Sequence, residues 1–260
     1  MKFKSYYIFS IIGIILIAAT YFNTIWDVAL QSIQYPPSMY PEGIRIDFKY
    51  NGVYNGCEGV KEREELATNA GADCLMEMNA INHFIGMYPI VQGLNMDNTG
   101  EHPIYYVFDT EKDVEGNDIY DPATGKKIKV DVTPKALKFL DFVMTNSPYI
   151  FVIFVLLAFY FMLSPKELNS VFAIIPAFVP FYFLLFYIGY LYWYGHNLSM
   201  HGGGAFAGIK PFMPTVFGEG KVAQFTTESY PRLGFLYAVG AFASMVFAWL
   251  LKRKDLKTEV

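Results

Sequence analysis

The run LNSVFAIIPAFVPFYFLLFYIGYLYWYG, Leu168 to Gly195, contains no Asp, Glu, Lys or Arg. A spanning helix needs roughly 20 mainly apolar residues, because each residue rises about 1.5 Å through a hydrocarbon core about 30 Å thick. Three more uncharged runs meet that length: Ser5 to Trp26, Phe142 to Pro165 and Leu233 to Leu251. The 260 residues are 53% hydrophobic and 18% aromatic, too apolar for an ordinary soluble domain and too few for a large transporter. These features predict an α-helical membrane protein with about four transmembrane helices. Pro176 and Pro180 are expected to kink the third.

Basic residues near helix ends set the orientation, since Lys and Arg are retained on the cytoplasmic side. Lys2 and Lys4 precede the first run, Lys166 separates the second from the third, and Lys252, Arg253, Lys254 and Lys257 follow the last. With four spans all three clusters fall on one side. Both termini are then cytoplasmic in an inner membrane. The segmentation expected is 1–26 for the N-terminus and first span, 27–141 for a periplasmic domain and 142–165 for the second span. A short turn and the third span occupy 166–195, a periplasmic loop 196–232, the fourth span 233–251 and a cytoplasmic tail 252–260. Lys2, Lys4 and the apolar stretch Ile8 to Ala19 also fit a signal peptide, although no small-x-small cleavage site follows before Trp26.

The domain between the first two spans is expected to be mixed α+β. Ile44 to Val53 alternates apolar and polar residues as a half-buried strand does, and Asn51-Gly52 is a hairpin dipeptide. Asp121-Pro122-Ala123-Thr124-Gly125 reads as a turn, and Thr133-Pro134 as the start of a helix leading into the second span. The segment 210–231 reads as a stiff outer loop punctuated by prolines. Gly240, Ser244 and Ala248 recur every four residues, a spacing that lets membrane helices approach closely.

All four histidines fall in the two outer segments. Haem held between spans would need histidine inside the bundle, and Cys-x-x-Cys-His is absent, so neither b-type nor c-type haem is expected. One cluster gathers Cys74, Met76, Met78, His83 and Met87. A strand would put Cys74, Met76 and Met78 on one face, and a helix would align Met76, His83 and Met87. Thiolate, thioether and imidazole together suit Cu(I) better than the harder, oxygen-seeking Mg or Ca. The structural alternative is plain packing, because an unbranched thioether fills core gaps well. A second cluster, His196, Met200 and His201, precedes three glycines, Gly202 to Gly204, where the third run ends. It supplies a second copper set, or else an interfacial loop anchored by Trp193 and Tyr194. The cysteines Cys57 and Cys74 also fit a disulfide in an oxidising compartment.

Other chemistry lacks sequence support. There is no phosphate-binding Gly-rich loop, His-Glu-x-x-His or Gly-x-Ser-x-Gly, and a pI near 5.6 gives no footprint for nucleic acid. Buried charges of the kind that mark ion-coupled carriers are missing from the apolar runs.

Asn82-His83-Phe84-Ile85-Gly86-Met87, with Tyr-Pro steps upstream and the His196 to Gly204 loop downstream, resembles the NosB-like membrane protein family encoded beside the accessory genes of nitrous oxide reductase. Members carry an Asn-His-Tyr-Ile-Gly-Met-like motif, so Phe84 departs from it. The resemblance implies a link to nitrous oxide respiration (denitrification) or to maturation of that reductase's copper centres. It covers only those motifs and the span layout.

The function expected is a non-enzymatic accessory membrane protein whose periplasmic domain binds copper or a copper protein and supports a periplasmic respiratory enzyme. Two alternatives remain. One is a redox component passing electrons from quinol to a periplasmic partner, with the aromatic stretch Phe172 to Tyr194 as a quinone pocket. The other is a metal-free scaffold docked on an ABC-type permease or other membrane subunit.

Overall fold

The structure, a computed structural model, describes residues 4–33, 40–57, 92–93, 104–105, 108–110, 112–125, 127–131, 135–164, 171–197, 210–222 and 225–258. Its six helices and nine strands are all numbered among these residues. The apolar run that begins at Ser5 makes helix α1 only as far as Tyr21, 17 residues, and at Trp26 the chain becomes strand β1, Trp26–Gln31. Asn23 Nδ2 donates to the Ala19 carbonyl, an acceptor the helix end leaves open, and Thr20 Oγ1 adds a bond to the Leu16 carbonyl one turn back.

Strand β2, Ile44–Lys49, and β3, Gly52–Asn55, form the hairpin expected at Asn51-Gly52, with Lys49 paired to Gly52 and a positive φ of 153° at Gly52. Short strands follow at β4, Gln92–Gly93, β5, Ile104–Tyr105, β6, Phe108–Thr110, and β7, Lys129–Asp131; β4 pairs with β5 and β6 with β7. The turn at Asp121 closes with the Gly125 N–H donating to the Asp121 carbonyl at 2.8 Å.

The second apolar run is split into α2, Lys135–Thr145, and α3, Ser147–Leu163, which meet at 58°. Pro148 explains the break. Its ring nitrogen cannot donate to the Met144 carbonyl four residues back, and Ser147 Oγ donates to that oxygen at 2.6 Å instead. The third run is likewise split, into α4, Val171–Ala177, and α5, Val179–Asn197, at 45° between Pro176 and Pro180. Segment 210–231 then supplies β8, Gly218–Val222, and β9, Phe225–Pro231, before α6, Leu233–Thr258.

These strands overturn the four-span helical expectation. The protein is mixed α/β, built on a five-stranded antiparallel sheet in the order β3-β2-β1-β9-β8. Nor is the sheet confined to the segment between the first two apolar runs, because two of its strands come from the stretch expected to be a loop. Among the described residues one helix is long and apolar enough to cross a membrane unaided, Leu233–Asp255 within α6. Helix α1 is short of the required length, and the other two runs would count only if each bent pair acted as one span.

Two apolar cores result. Helices α1, α3, α4 and α6 enclose Ile14, Ile17, Phe161, Ala241, Met245 and Ala248. The small-residue stripe does what its spacing suggests: a Cβ on Gly240 would come within 3.1 Å of Leu16 Cδ1, and Ala248 is fully buried. Near the end of α6 the buried Lys252 donates to the Phe161 carbonyl, with its Nζ 4.3 Å from the centre of the Phe161 ring. The second core lies between one face of the sheet and α5, where Trp26, Ile46 and Phe48 meet Phe183, Tyr187 and Tyr190. Helix α5 thus turns away from the helical layer at the Pro176–Pro180 bend and lies against the sheet.

Candidate functional site

The two faces of the sheet carry different chemistry because strand residues alternate sides. Trp26, on the α5 side, donates through Nε1 to Ser229 Oγ at 2.8 Å, and the Tyr187 hydroxyl lies 3.0 Å from the same oxygen. Ser229 Oγ donates to the Val216 carbonyl at 2.8 Å, so its single proton is committed and Tyr187 must be a donor to it. Strand β1, strand β9, helix α5 and the segment before β8 are thereby joined at one buried hydroxyl.

On the opposite face stands Asp27, 4% exposed, whose Oδ2 accepts from Arg45 Nη2 at 2.6 Å and from Arg232 Nη2 at 2.5 Å. Arg45 comes from the neighbouring strand β2 and Arg232 from the junction of β9 with α6. Arg45 also pairs with Glu42. Burial pushes the Asp27 carboxyl up to about 6, with Arg45 pulling it down and Asp47 and Glu42 adding to the rise. A polar cavity of about 400 Å³ opens beside it, bounded also by Glu228 and Tyr230. The site offers a carboxyl able to exchange a proton near neutrality next to two guanidiniums, a setting for hydrogen bonds to a polar group of a ligand or partner.

Sequence reasoning missed Asp27, Arg45, Arg232 and Ser229. Asp27 and Arg232 sit at the edges of apolar runs and Ser229 within a stretch read as loop, while Arg45 lies on the outward face of the expected strand Ile44 to Val53. The one signal was Trp26-Asp27-Val28, where a charge stands between two apolar residues as in a half-buried strand; Phe225 to Tyr230 carries four polar residues in a row and no such pattern.

Of the expected metal ligands, Cys74, Met76, Met78, His83, Met87, Met200 and His201 lie outside the described residues. His196 lies within them, exposed at the end of α5. Its Nδ1–H donates to the Tyr192 carbonyl at 2.8 Å and its ring stacks on Tyr192 with centroids 4.0 Å apart. A histidine held this way presents Nε2 outward, the arrangement that orients imidazole ligands on metals. Gly195 is required beside it, since a Cβ there would collide with the Phe212 carbonyl and Pro214. Among the described residues no three His, Cys, Asp or Glu side chains are grouped to hold a metal ion.

Cys57 is disulfide-bonded, and Cys74 is the only other cysteine in the chain. Cys57 is buried just beyond β3, with the Arg45 N–H 3.4 Å from its Sγ. That places it at the end of the sheet where Leu30 and Ile46 meet Leu191 and Tyr194 of α5. Cys57, the last described residue before 58–91, therefore lies at the same end of the sheet as His196 at the end of α5. The chain matches no protein-family model, no curated protein and no solved structure.

Proposed function

We propose that this protein is a membrane-held accessory factor whose outer segments handle Cu(I) on behalf of a periplasmic copper protein or respiratory reductase. The observation that carries the proposal is the shared corner: Cys57, which precedes 58–91 in the chain, and His196, at the end of α5, lie at one end of the sheet. Two sets of soft donors far apart in sequence are thus tethered to one rigid layer. His196, with Nδ1 anchored and Nε2 outward, is oriented as a ligand needs to be. The disulfide at Cys57 favours an oxidising compartment and shifts the proposed donor set from thiolate to Met76, Met78, His83 and Met87, with His196, Met200 and His201 as the facing set. Helix α6 and the exposed apolar flank of the helical layer, including Ile15 of α1, Leu156 of α3 and Leu236 and Phe247 of α6, supply the membrane contact.

The test is a Cu(I) competition titration on the detergent-purified protein beside a His83→Ala/Met87→Ala variant. Stoichiometric binding that the variant loses while keeping its fold supports the proposal. Equal binding by both proteins, or none by either, overturns it.

A further inference from the structure

The polar cavity beside Asp27 lies over Ala29, which pairs with Arg45 of β2 on one side and Glu228 of β9 on the other. Strand alternation puts Asp27, Ala29, Arg45, Glu228 and Tyr230 on this one face, and the small Ala29 side chain leaves the hollow that the longer ones surround. The Tyr230 ring forms one wall and is itself held edge-to-face by Phe217, with centroids 5.6 Å apart.

The donors around this hollow are largely committed and the acceptors are not. Arg45 donates Nη2 to Asp27 and Nη1 to Glu42, and its Nε, which has no partner, is buried out of reach of a solute. Arg232 also donates Nη2 to Asp27, and both bonds to Asp27 end on Oδ2. Asp27 Oδ1 accepts no bond from the protein, yet it is not sealed off as Arg45 Nε is. In a side chain only 5% exposed, that oxygen opens into the cavity which Asp27 lines.

Glu228 is equally uncommitted, with no hydrogen bond or ion pair among the described residues. It stands directly opposite Glu219 of β8, a like-charge pair that costs stability, and Lys221, diagonal to it, makes no ion pair with it. Glu228 is also the diagonal neighbour of Asp27 across the β1–β9 pairing, a spacing of roughly 7–8 Å that a group seated between them can bridge. The walls carry three carboxylates, Asp27, Glu42 and Glu228, against two guanidiniums, so one negative charge is left over. An entering anion would meet those carboxylates with little but the outer N–H groups of Arg232 to receive it. The carboxylates are not grouped closely enough to hold a metal ion. A compact cation with several N–H donors suits the free acceptors, and an ammonium has three.

We propose that this cavity binds the ammonium group of a primary amine, held between Asp27 Oδ1 and the Glu228 carboxylate with Tyr230 as a wall. The site goes beyond the copper reading and does not depend on it.

The experiment is an isothermal titration of n-butylammonium into the full chain in a non-ionic detergent at low salt and pH 7.5, where the Asp27 carboxyl, raised to about 6, is ionised. The expected result is one butylammonium per chain. Tetramethylammonium, with the same charge and no N–H, binds at least about tenfold more weakly, the scale of one charge-assisted hydrogen bond, and butyrate does not bind. Glu228→Gln lowers butylammonium affinity by about the same factor and leaves thermal unfolding unchanged, since Glu228 holds nothing in the fold. Asp27→Asn lowers it too, and the Glu228 variant keeps the test sound if this one fails to fold. In a further arm, tighter binding of Nα-acetyl-lysine methylamide than of butylammonium assigns the site to a lysine of a partner, and weaker binding to a free amine. No binding of butylammonium, equal affinity for tetramethylammonium, binding of butyrate in its place, or an affinity unchanged in Glu228→Gln would each overturn the proposal.

Discussion

The helical layer and the sheet layer are both apolar inside, yet they are held together by opposite means. In the helical layer α1 and α6 approach through small residues: Gly13 faces Met245, where a Cβ would come within 2.7 Å of the sulfur, and Gly240 faces Leu16. Most of its polar groups are backbone groups satisfied within each helix. The sheet layer depends on two polar nodes, Asp27 on one face and Ser229 on the other, each joining β1 and β9 to a further element. Close packing tolerates small losses, whereas a buried polar node fails when one member is removed and its partners are stranded. The sheet layer should therefore be the more sensitive to single polar substitutions, and unequal in its responses to them.

The largest expected effect is at Asp27. Asp27→Ala leaves the guanidiniums of Arg45 and Arg232 without their shared acceptor, and Arg45 Nε already lacks a partner. Breaking a buried ion pair from one side costs about 3 kcal/mol or more. Glu42 still pairs with Arg45 and Arg232 is 44% exposed, so the lower end of that range is expected. Chemical denaturation in detergent, followed by the fluorescence of Trp26, would measure it. A loss below about 1 kcal/mol, the worth of a surface pair, would mean that solvent reaches this node freely.

Ser229→Ala ranks second. It strands the Trp26 Nε1–H and the Tyr187 hydroxyl in the core between sheet and α5 and deprives the Val216 carbonyl of its donor. Each unsatisfied group costs about 1–3 kcal/mol, reduced where water enters the vacated space, so a net loss of about 2 kcal/mol is expected. Ser229→Thr keeps the hydroxyl and should recover part of that loss. If alanine and threonine are equally harmful, the defect is steric and the node is not held by its hydrogen bonds.

The helical runs were legible in the sequence because length and lack of charge announce them, and the hairpin at Asn51-Gly52 because its turn chemistry is local. What composition could not show was where the runs break. Pro148 lies in the first turn of α3, where proline is ordinarily tolerated, and only the Ser147 bond to Met144 accounts for the Met144 carbonyl it leaves without a donor. The sheet was hidden for another reason. Its central strand β1 follows an apolar helix so closely that Trp26 reads as the end of a span, and its partner β9 lies about two hundred residues away in a stretch whose prolines suggest a loop. Pairing between distant strands leaves no local mark that they belong together, and the run of polar residues from Thr226 to Ser229 does not read as a half-buried strand. Asp27 and Arg232 were unreadable for the same reason: each is an ordinary charge beside an apolar run until the β1–β9 register brings them together.

The smallest effect separates the charge at the Asp27 node from its geometry. In the folded protein the Asp27 carboxyl holds its proton up to a pH of about 6, against about 3.9 for an unperturbed aspartate. Between those values the folded state binds the extra proton, so the contribution to stability is full below about pH 4 and is lost as pH rises through 6. Asp27→Asn keeps an acceptor for both guanidiniums and removes the titration. Unfolding measured across pH 4 to 7 should show this descending limb in the unaltered protein and lose it in the asparagine variant. A limb of the same slope in both proteins would assign the titration to another group, and a rising limb would mean that the two arginines outweigh burial at this carboxylate. The sheet would then be held by attraction between charges, where the raised carboxyl points to hydrogen-bond geometry maintained against the cost of burying a charge.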